Sequence, residues 1–217
     1  MYMYTIAHRG FSDLYKDNSL AAFEAAVEAE FDMIEMDIQL TLDKEIIIYH
    51  DTYLKNTLIK DMTVKEIKEI DSEILYLSEF FEKIDISRIC VYLDIKGSDD
   101  ICEYLHASLR TLDKTIRDNI IIGSFDFLVL DKLHAFDPSY SLGIITDNVM
   151  HEKVLTYYIN KLNIVFVCFH WTTLRNNILA FLHEHNIMVF VYTCQNAIIE
   201  NFMLQYDVDG IVSNYKP

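Results

Sequence analysis

Glu35 and Asp37, two residues apart in the stretch Met33-Ile-Glu-Met-Asp-Ile-Gln-Leu40, are where chemistry could first collect in this chain. Side chains alternate faces along a strand, so the two carboxylates would point the same way, with Ile34, Met36, Ile38 and Leu40 on the opposite face. Carboxylates one strand repeat apart, roughly 7 Å, repel each other, and a positive group between them relieves the repulsion. An all-oxygen pair suits a hard divalent cation such as Mg²⁺ or Ca²⁺. Taken alone, the stretch also reads as an amphipathic strand with its acidic face in water. The rest of the chain weighs against that simpler reading. His8 and Arg9 follow one short apolar run, His50 ends another, and Asp94 and Lys96 share a face at the end of a third. Imidazole titrates near working pH, and Arg and Lys supply fixed positive charge. Seven ionisable groups at the ends of successive apolar runs are hard to obtain from an ordinary solvated face.

Such groups need elements to position them. Apolar runs over 2–7, 33–40, 46–49, 88–95, 119–123, 140–146, 163–170, 187–192 and 208–213 predict strands. Between them the pattern predicts helices. The first starts at Asp17-Asn18-Ser19 and runs to about Glu30. A second is capped by Thr63 with Glu66, and a third runs from Ser78 through Lys83. Further helices are expected over 99–114, 127–135, 152–161, 173–185 and 196–204. Runs such as NIVFVCF and IMVFVY are apolar without alternation, as in a parallel sheet covered on both faces. Repeated strand–helix pairs leave an α/β fold, either a (β/α)₈ barrel or a doubly wound sheet, in one domain spanning 1–217. In the barrel, the C-terminal strand ends converge on one mouth.

Composition narrows the function classes. A formal charge of −16 over 217 residues repels nucleic acid and anionic membranes. Apolar content of 52% argues for a packed globule. No run reaches the roughly 18 apolar residues of a membrane span, and no signal peptide is visible. Cys90, Cys102, Cys168 and Cys194 are scattered without metal-like spacing, which points to free thiols and a reducing, cytoplasmic setting.

At its polar residues the chain resembles the glycerophosphodiester phosphodiesterase family. The family pattern His-Arg-Gly, Glu-Asn-Thr, Glu-x-Asp, His-Asp, Glu-x-Lys is matched by His8-Arg9-Gly10, Asp17-Asn18-Ser19, Glu35-Met36-Asp37, His50-Asp51 and Asp94-Ile95-Lys96. Ser124-Phe125-Asp126 and Val208-Asp209-Gly210-Ile211-Val212-Ser213 continue the likeness, which covers essentially the whole chain. The resemblance implies a TIM barrel that hydrolyses glycerophosphodiesters to glycerol 3-phosphate and an alcohol. It implies one divalent cation, Mg²⁺ or Ca²⁺, on Glu35, Asp37 and Asp94. It also implies His8 and His50 as general acid and base, and Arg9 and Lys96 on the substrate phosphate. Arg9 could instead serve only as the partner of Asp17.

There are departures from the family pattern. Asp94 stands for the usual Glu, and Tyr192 for a common Trp. Four residues follow Ser213, so the last outer helix is expected to be missing. That would leave a bare patch between the first and seventh helices, as a groove or covered by a partner subunit. His106, His134, His151, His183 and His185 are expected to be solvated, while His170 and Trp171 either line the pocket or pack in the core. A related lipid-acting phospholipase D and a catalytically silent barrel that binds phosphorylated ligands are the competing readings.

Overall fold

A computed structural model describes residues 3–216. The elements in order are β1 Tyr4–Ala7, α1 Leu20–Glu28, β2 Met33–Leu40, β3 Ile46–Ile48, β4 Tyr53–Leu54 and β5 Thr57–Leu58. Then come α2 Val64–Ile70, β6 Leu75–Tyr76, α3 Leu77–Lys83, β7 Cys90–Ile95, α4 Ile101–Leu109 and α5 Lys114–Arg117. The chain continues with β8 Ile120–Ser124, α6 Phe127–Phe136, β9 Ser141–Thr146, α7 Glu152–Leu162 and β10 Phe166–His170. It closes with α8 Asn176–Glu184, β11 Met188–Cys194, α9 Ala197–Met203 and β12 Gly210–Ser213. Strands β1, β2 and β7 to β12 are joined in parallel, and β1 pairs with both β12 and β2. The sheet therefore closes into an eight-stranded (β/α)₈ barrel.

Both faces of each strand are covered. Outward side chains such as Ile34, Met36, Ile38, Leu93 and Ile122 pack beneath the helices in one large core. Inward ones fill the barrel with a smaller cluster that includes Ile6, Met33, Tyr92, Phe166 and Phe190. The Phe166 ring centroid lies 5.1 Å from Tyr92 and 5.3 Å from Phe190. That crowding needs a neighbour without a side chain. A Cβ at Gly143 would sit 2.3 Å from the Phe166 ring. The acidic face of β2 is thus turned into the barrel, not into water, and only Leu40 at its end is partly exposed.

The structure alters several expected boundaries. Residue Tyr2, placed in the first strand by its pattern, lies outside the described residues. The 99–114 helix is two helices. α4 ends at Leu109 and tight turns follow, with Thr111 N–H donating to Ser108 and Leu112 N–H to Leu109, before Asp113 takes an extended conformation and α5 begins. α3 starts at Leu77, not after Ser78, because Glu79 reaches back to accept the Tyr76 backbone N–H at 2.9 Å. The 46–49 run is not a barrel strand. β3 pairs antiparallel with β2 across a short turn, and parallel pairing would need a far longer connection. No helix follows β12 among the described residues. Instead Tyr215 donates to Glu200 of α9 at 2.8 Å, and Lys216 donates to the carbonyls of Ala29 and Glu30 after α1.

Three histidines expected in solvent are half-buried. His106 bonds the Tyr140 hydroxyl at 2.8 Å and stacks on Phe136, His183 bonds Asp209 at 3.0 Å, and His134 keeps a buried Nδ1. Their helix faces pack on neighbouring strands and helices. His151 caps α7. Trp171 packs on the core and on Phe202, and neither it nor His170, which meets Tyr192 edge-on, is among the residues lining the cavity of the acidic centre. No described helix is long and apolar enough to cross a membrane.

Candidate active site

The strand register builds the centre. β2 and β7 pair in parallel so that Asp37 lies beside Asp94 and Glu35 beside Tyr92, all on the inward face near the barrel mouth. One oxygen from each of Glu35, Asp37 and Asp94 falls within a common 4.8 Å. The three residues are 4%, 1% and 7% exposed. Lys96, two residues beyond Asp94 and so on the same face, places Nζ 2.6 Å from Asp94 and 3.2 Å from Asp37.

The β1–α1 segment closes the other side. Arg9 takes a left-handed backbone (φ 57°), and its N–H donates to Glu35 at 2.9 Å. Gly10 follows at φ +79°, with the Ala22 backbone 2.7 Å from where a Cβ would lie, so only glycine passes beneath α1. The Arg9 side chain reaches Asp17 and Asp37, each at 3.1 Å, so the Asp17 pairing and a place at the centre coexist. His8 donates from Nδ1 to Asn214 Oδ1 at 2.6 Å, which leaves Nε2 as the free ring nitrogen.

His50 arrives by a different route from the expected one. It follows β3, the returning arm of the hairpin, where Tyr49 N–H donates to Asp37 C=O at 2.9 Å. Its Nδ1 pairs with Asp51 at 2.7 Å. His8, Arg9, Glu35, Asp37, His50, Asp94 and Lys96 line one cavity of about 130 Å³, walled by Tyr92, Phe125, Cys168 and Tyr192. Tyr192, in the common Trp position, meets Phe125 edge-on at 6.1 Å.

Two buried positioning residues were not picked out as site members by the sequence reading. Asn18 Nδ2 donates to Asp37 Oδ2 at 2.9 Å, fixing that carboxylate. Gln39 donates to the carbonyls of Tyr49 and Asp51, both at 2.7 Å, and so hangs the His50 loop from β2. The signals for them were the Asn inside Asp17-Asn18-Ser19 and the inward phase that Gln39 shares with Glu35 and Asp37.

Electrostatics divide the carboxylates. Burial, then the Asp37 and Asp94 charges, push Glu35 well above the ordinary carboxyl value. Burial likewise drives Asp94 up to about 7 against the pull of Lys96. Asp37 suffers burial too, but Lys96 and Arg9 override it and hold the group below its ordinary value. Burial and the adjacent Arg9 lower His8 to about 4, so its imidazole is neutral at pH 7. Asp94 Oδ1 is buried with no hydrogen-bond partner. Three buried hard oxygen donors, two of them with their charged forms disfavoured and one with an unsatisfied oxygen, fit a divalent cation.

The sequence profile of the Glycerophosphoryl diester phosphodiesterase family matches residues 8–216. YhdW of Bacillus subtilis (strain 168) is 28% identical over 98% of this chain and 95% of its own length. The glycerophosphodiester phosphodiesterase of Bacillus altitudinis is 25% identical over 96% and 93%. Among solved structures, an Oleispira antarctica phosphodiesterase in complex with the product sn-glycerol-3-phosphate superposes with a TM-score of 0.87 at 21% identity, over 99% of this chain and 94% of that one. At that identity the likeness is one of fold, and the profile match over nearly the full length decides membership: this chain belongs to the glycerophosphoryl diester phosphodiesterase family.

Proposed function

We propose that this protein hydrolyses water-soluble glycerophosphodiesters to glycerol 3-phosphate and an alcohol, using a divalent cation and a pair of histidines. The observation that carries the reading is the trio of buried carboxylates within 4.8 Å of one another, lying in one cavity with two imidazoles whose Nδ1 atoms are each already engaged. Glu35, Asp37 and Asp94 would hold the ion, Mg²⁺ or Ca²⁺, which when bound supplies positive charge to the phosphate oxygens.

The chain's own groups do the rest. Arg9 and Lys96 orient the phosphodiester and offset the negative charge that grows on its oxygens. Asn18 and the Arg9 N–H hold the Asp37 and Glu35 carboxylates in place beside Lys96. His8 and His50 handle protons. With Nδ1 of each ring held by Asn214 or Asp51, Nε2 is the nitrogen left to exchange a proton with the attacking or departing oxygen. Phe125 and Tyr192 keep bulk water off one flank of the cavity.

The test is hydrolysis of glycerophosphocholine with Mg²⁺, Ca²⁺ or EDTA, for the wild type and for His8→Ala and Glu35→Ala. The expected result is metal-dependent release of choline that both substitutions lower by at least about 10²-fold. Activity that survives EDTA, or both substitutions, would sink this mechanism. No activity on any glycerophosphodiester would leave the silent ligand-binding barrel.

A further inference from the structure

Two further cavities adjoin the catalytic one, and their charges differ in kind. The first, about 290 Å³, shares Arg9 and His50 with it. Its cations are spent within its own walls, Arg9 on Asp17 and Lys16 on Asp71 and Glu73. The second, about 330 Å³, shares Lys96 with the catalytic cavity and opens beside Gln39, Thr41, Lys44, Lys60 and Ser98. Neither Lys44 nor Lys60 makes an ion pair or side-chain hydrogen bond among the described residues. The one carboxylate in that wall, Asp100, already accepts from Ser98 at 3.1 Å. Two lysines without a described ion pair lining one cavity are conspicuous in a chain of net charge −16.

Their backbones are also held in place. Lys44 sits at the left-handed position (φ 67°) of the β2–β3 turn, which Thr41 Oγ1 ties to Asp43 and Glu45. Lys60 lies in the short 3-10 turn Ile59–Asp61, anchored by fully buried Ile59. Leu42 N–H donates to Met62 C=O at 2.9 Å and joins the two turns. Gln39, on the cavity wall, is one strand repeat (roughly 7 Å) beyond the inward-facing Asp37. A group on the far end of a short leaving alcohol spans that distance.

We infer that the Lys44–Lys60 cavity is a subsite for a second anionic group, and that the preferred substrates are glycerophosphodiesters whose leaving alcohol itself carries a phosphate. The inference rests on the phosphodiesterase reading and adds the class of alcohol. It assigns the two lysines to substrate selection, with no part in bond cleavage.

The experiment compares two substrates, glycerophosphoglycerol and the same diester phosphorylated on its distal hydroxyl, by kcat/KM. The wild type should prefer the phosphorylated diester by about tenfold, and raising KCl from about 0.05 to about 0.5 M should erase most of that preference. The double variant Lys44→Gln/Lys60→Gln should lose the preference while keeping its rate on glycerophosphoglycerol within about twofold. Lys44→Arg/Lys60→Arg should retain it, and matching circular dichroism melts establish that all three proteins are folded. Equal wild-type kcat/KM on both substrates, or an equal fall on both in the Gln variant, would overturn the subsite and leave the phosphodiesterase reading standing. Hydrolysis of neither substrate would overturn that reading and the subsite with it.

Discussion

At the scale of single residues, the centre depends on groups that hold other groups still. Asn18 donates to Asp37, and so fixes the carboxylate that Lys96 and Arg9 hold below its ordinary value while burial raises its two acidic neighbours. Asn18→Ala should weaken divalent-ion binding or activity by about 10- to 100-fold, the usual cost of removing a partner that orients a ligand. Isothermal titration with Ca²⁺ measures it, and an unchanged affinity and rate would show that Asp37 needs no such partner. His8 gives a second expectation, on stability. Its folded-state value of about 4 lies below the ordinary 6.5, so between those pH values the unfolded chain binds the extra proton. The stability His8 contributes is complete above about 6.5 and is lost as pH falls toward 4, up to about 3 kcal/mol. His8→Asn should flatten that limb of the curve in urea melts recorded from pH 4 to 7.

At the scale of elements, the barrel holds its site by filling the space beneath it. Gly143, Phe166, Tyr92 and Phe190 form a plug of rings whose fit depends on one missing side chain. Gly143→Ala puts a methyl 2.3 Å from a fully buried ring that has no room to move. Overpacking of this kind costs about 1 to 3 kcal/mol, which lowers Tm by roughly 2 to 12 °C in a chain of this size. A Tm within 1 °C or so of wild type, read by differential scanning calorimetry, would mean that the plug yields. Much of this architecture was legible beforehand. Apolar runs such as NIVFVCF are continuous because both faces of β10 are buried, and the Thr63–Glu66 capping box appears as written. What was hidden depends on contacts distant in sequence. Nothing local says that β3 turns back along β2, or that His50 therefore enters from above on a loop carried by Gln39. The break after Leu109 was hidden for a similar reason, since its helical spacing runs on while the backbone turns toward β8. His183 looked solvated because Asp209, its partner, is 26 residues away.

At the scale of the whole molecule, the acidic centre makes the folded state sensitive to protons and, on the proposed reading, to a divalent ion as well. Burial raises Glu35 and Asp94, the latter to about 7, so these carboxylates favour the fold when protonated. For a carboxyl raised in the folded state, stability is present below its unfolded value near 4 and is lost as pH climbs through the folded value. His8 acts in the opposite sense below 6.5, so the pH curve of the metal-free protein alone mixes the two effects. The difference between metal-loaded and metal-free protein separates them. An ion that binds only the folded chain stabilises it by about 2.7 kcal/mol at a hundred times its dissociation constant. To bind here it must displace protons from Glu35 and Asp94, so its hold strengthens as pH rises. The Tm gained on adding 5 mM or so of Mg²⁺ or Ca²⁺ in place of EDTA should therefore be small at pH 5 and several degrees larger at pH 8. Asp94→Asn should shrink that gain and make it less dependent on pH, because the group forced up to about 7 is gone. A gain that is the same at pH 5 and pH 8, or unaltered by Asp94→Asn, would mean that the ion does not sit on these three carboxylates.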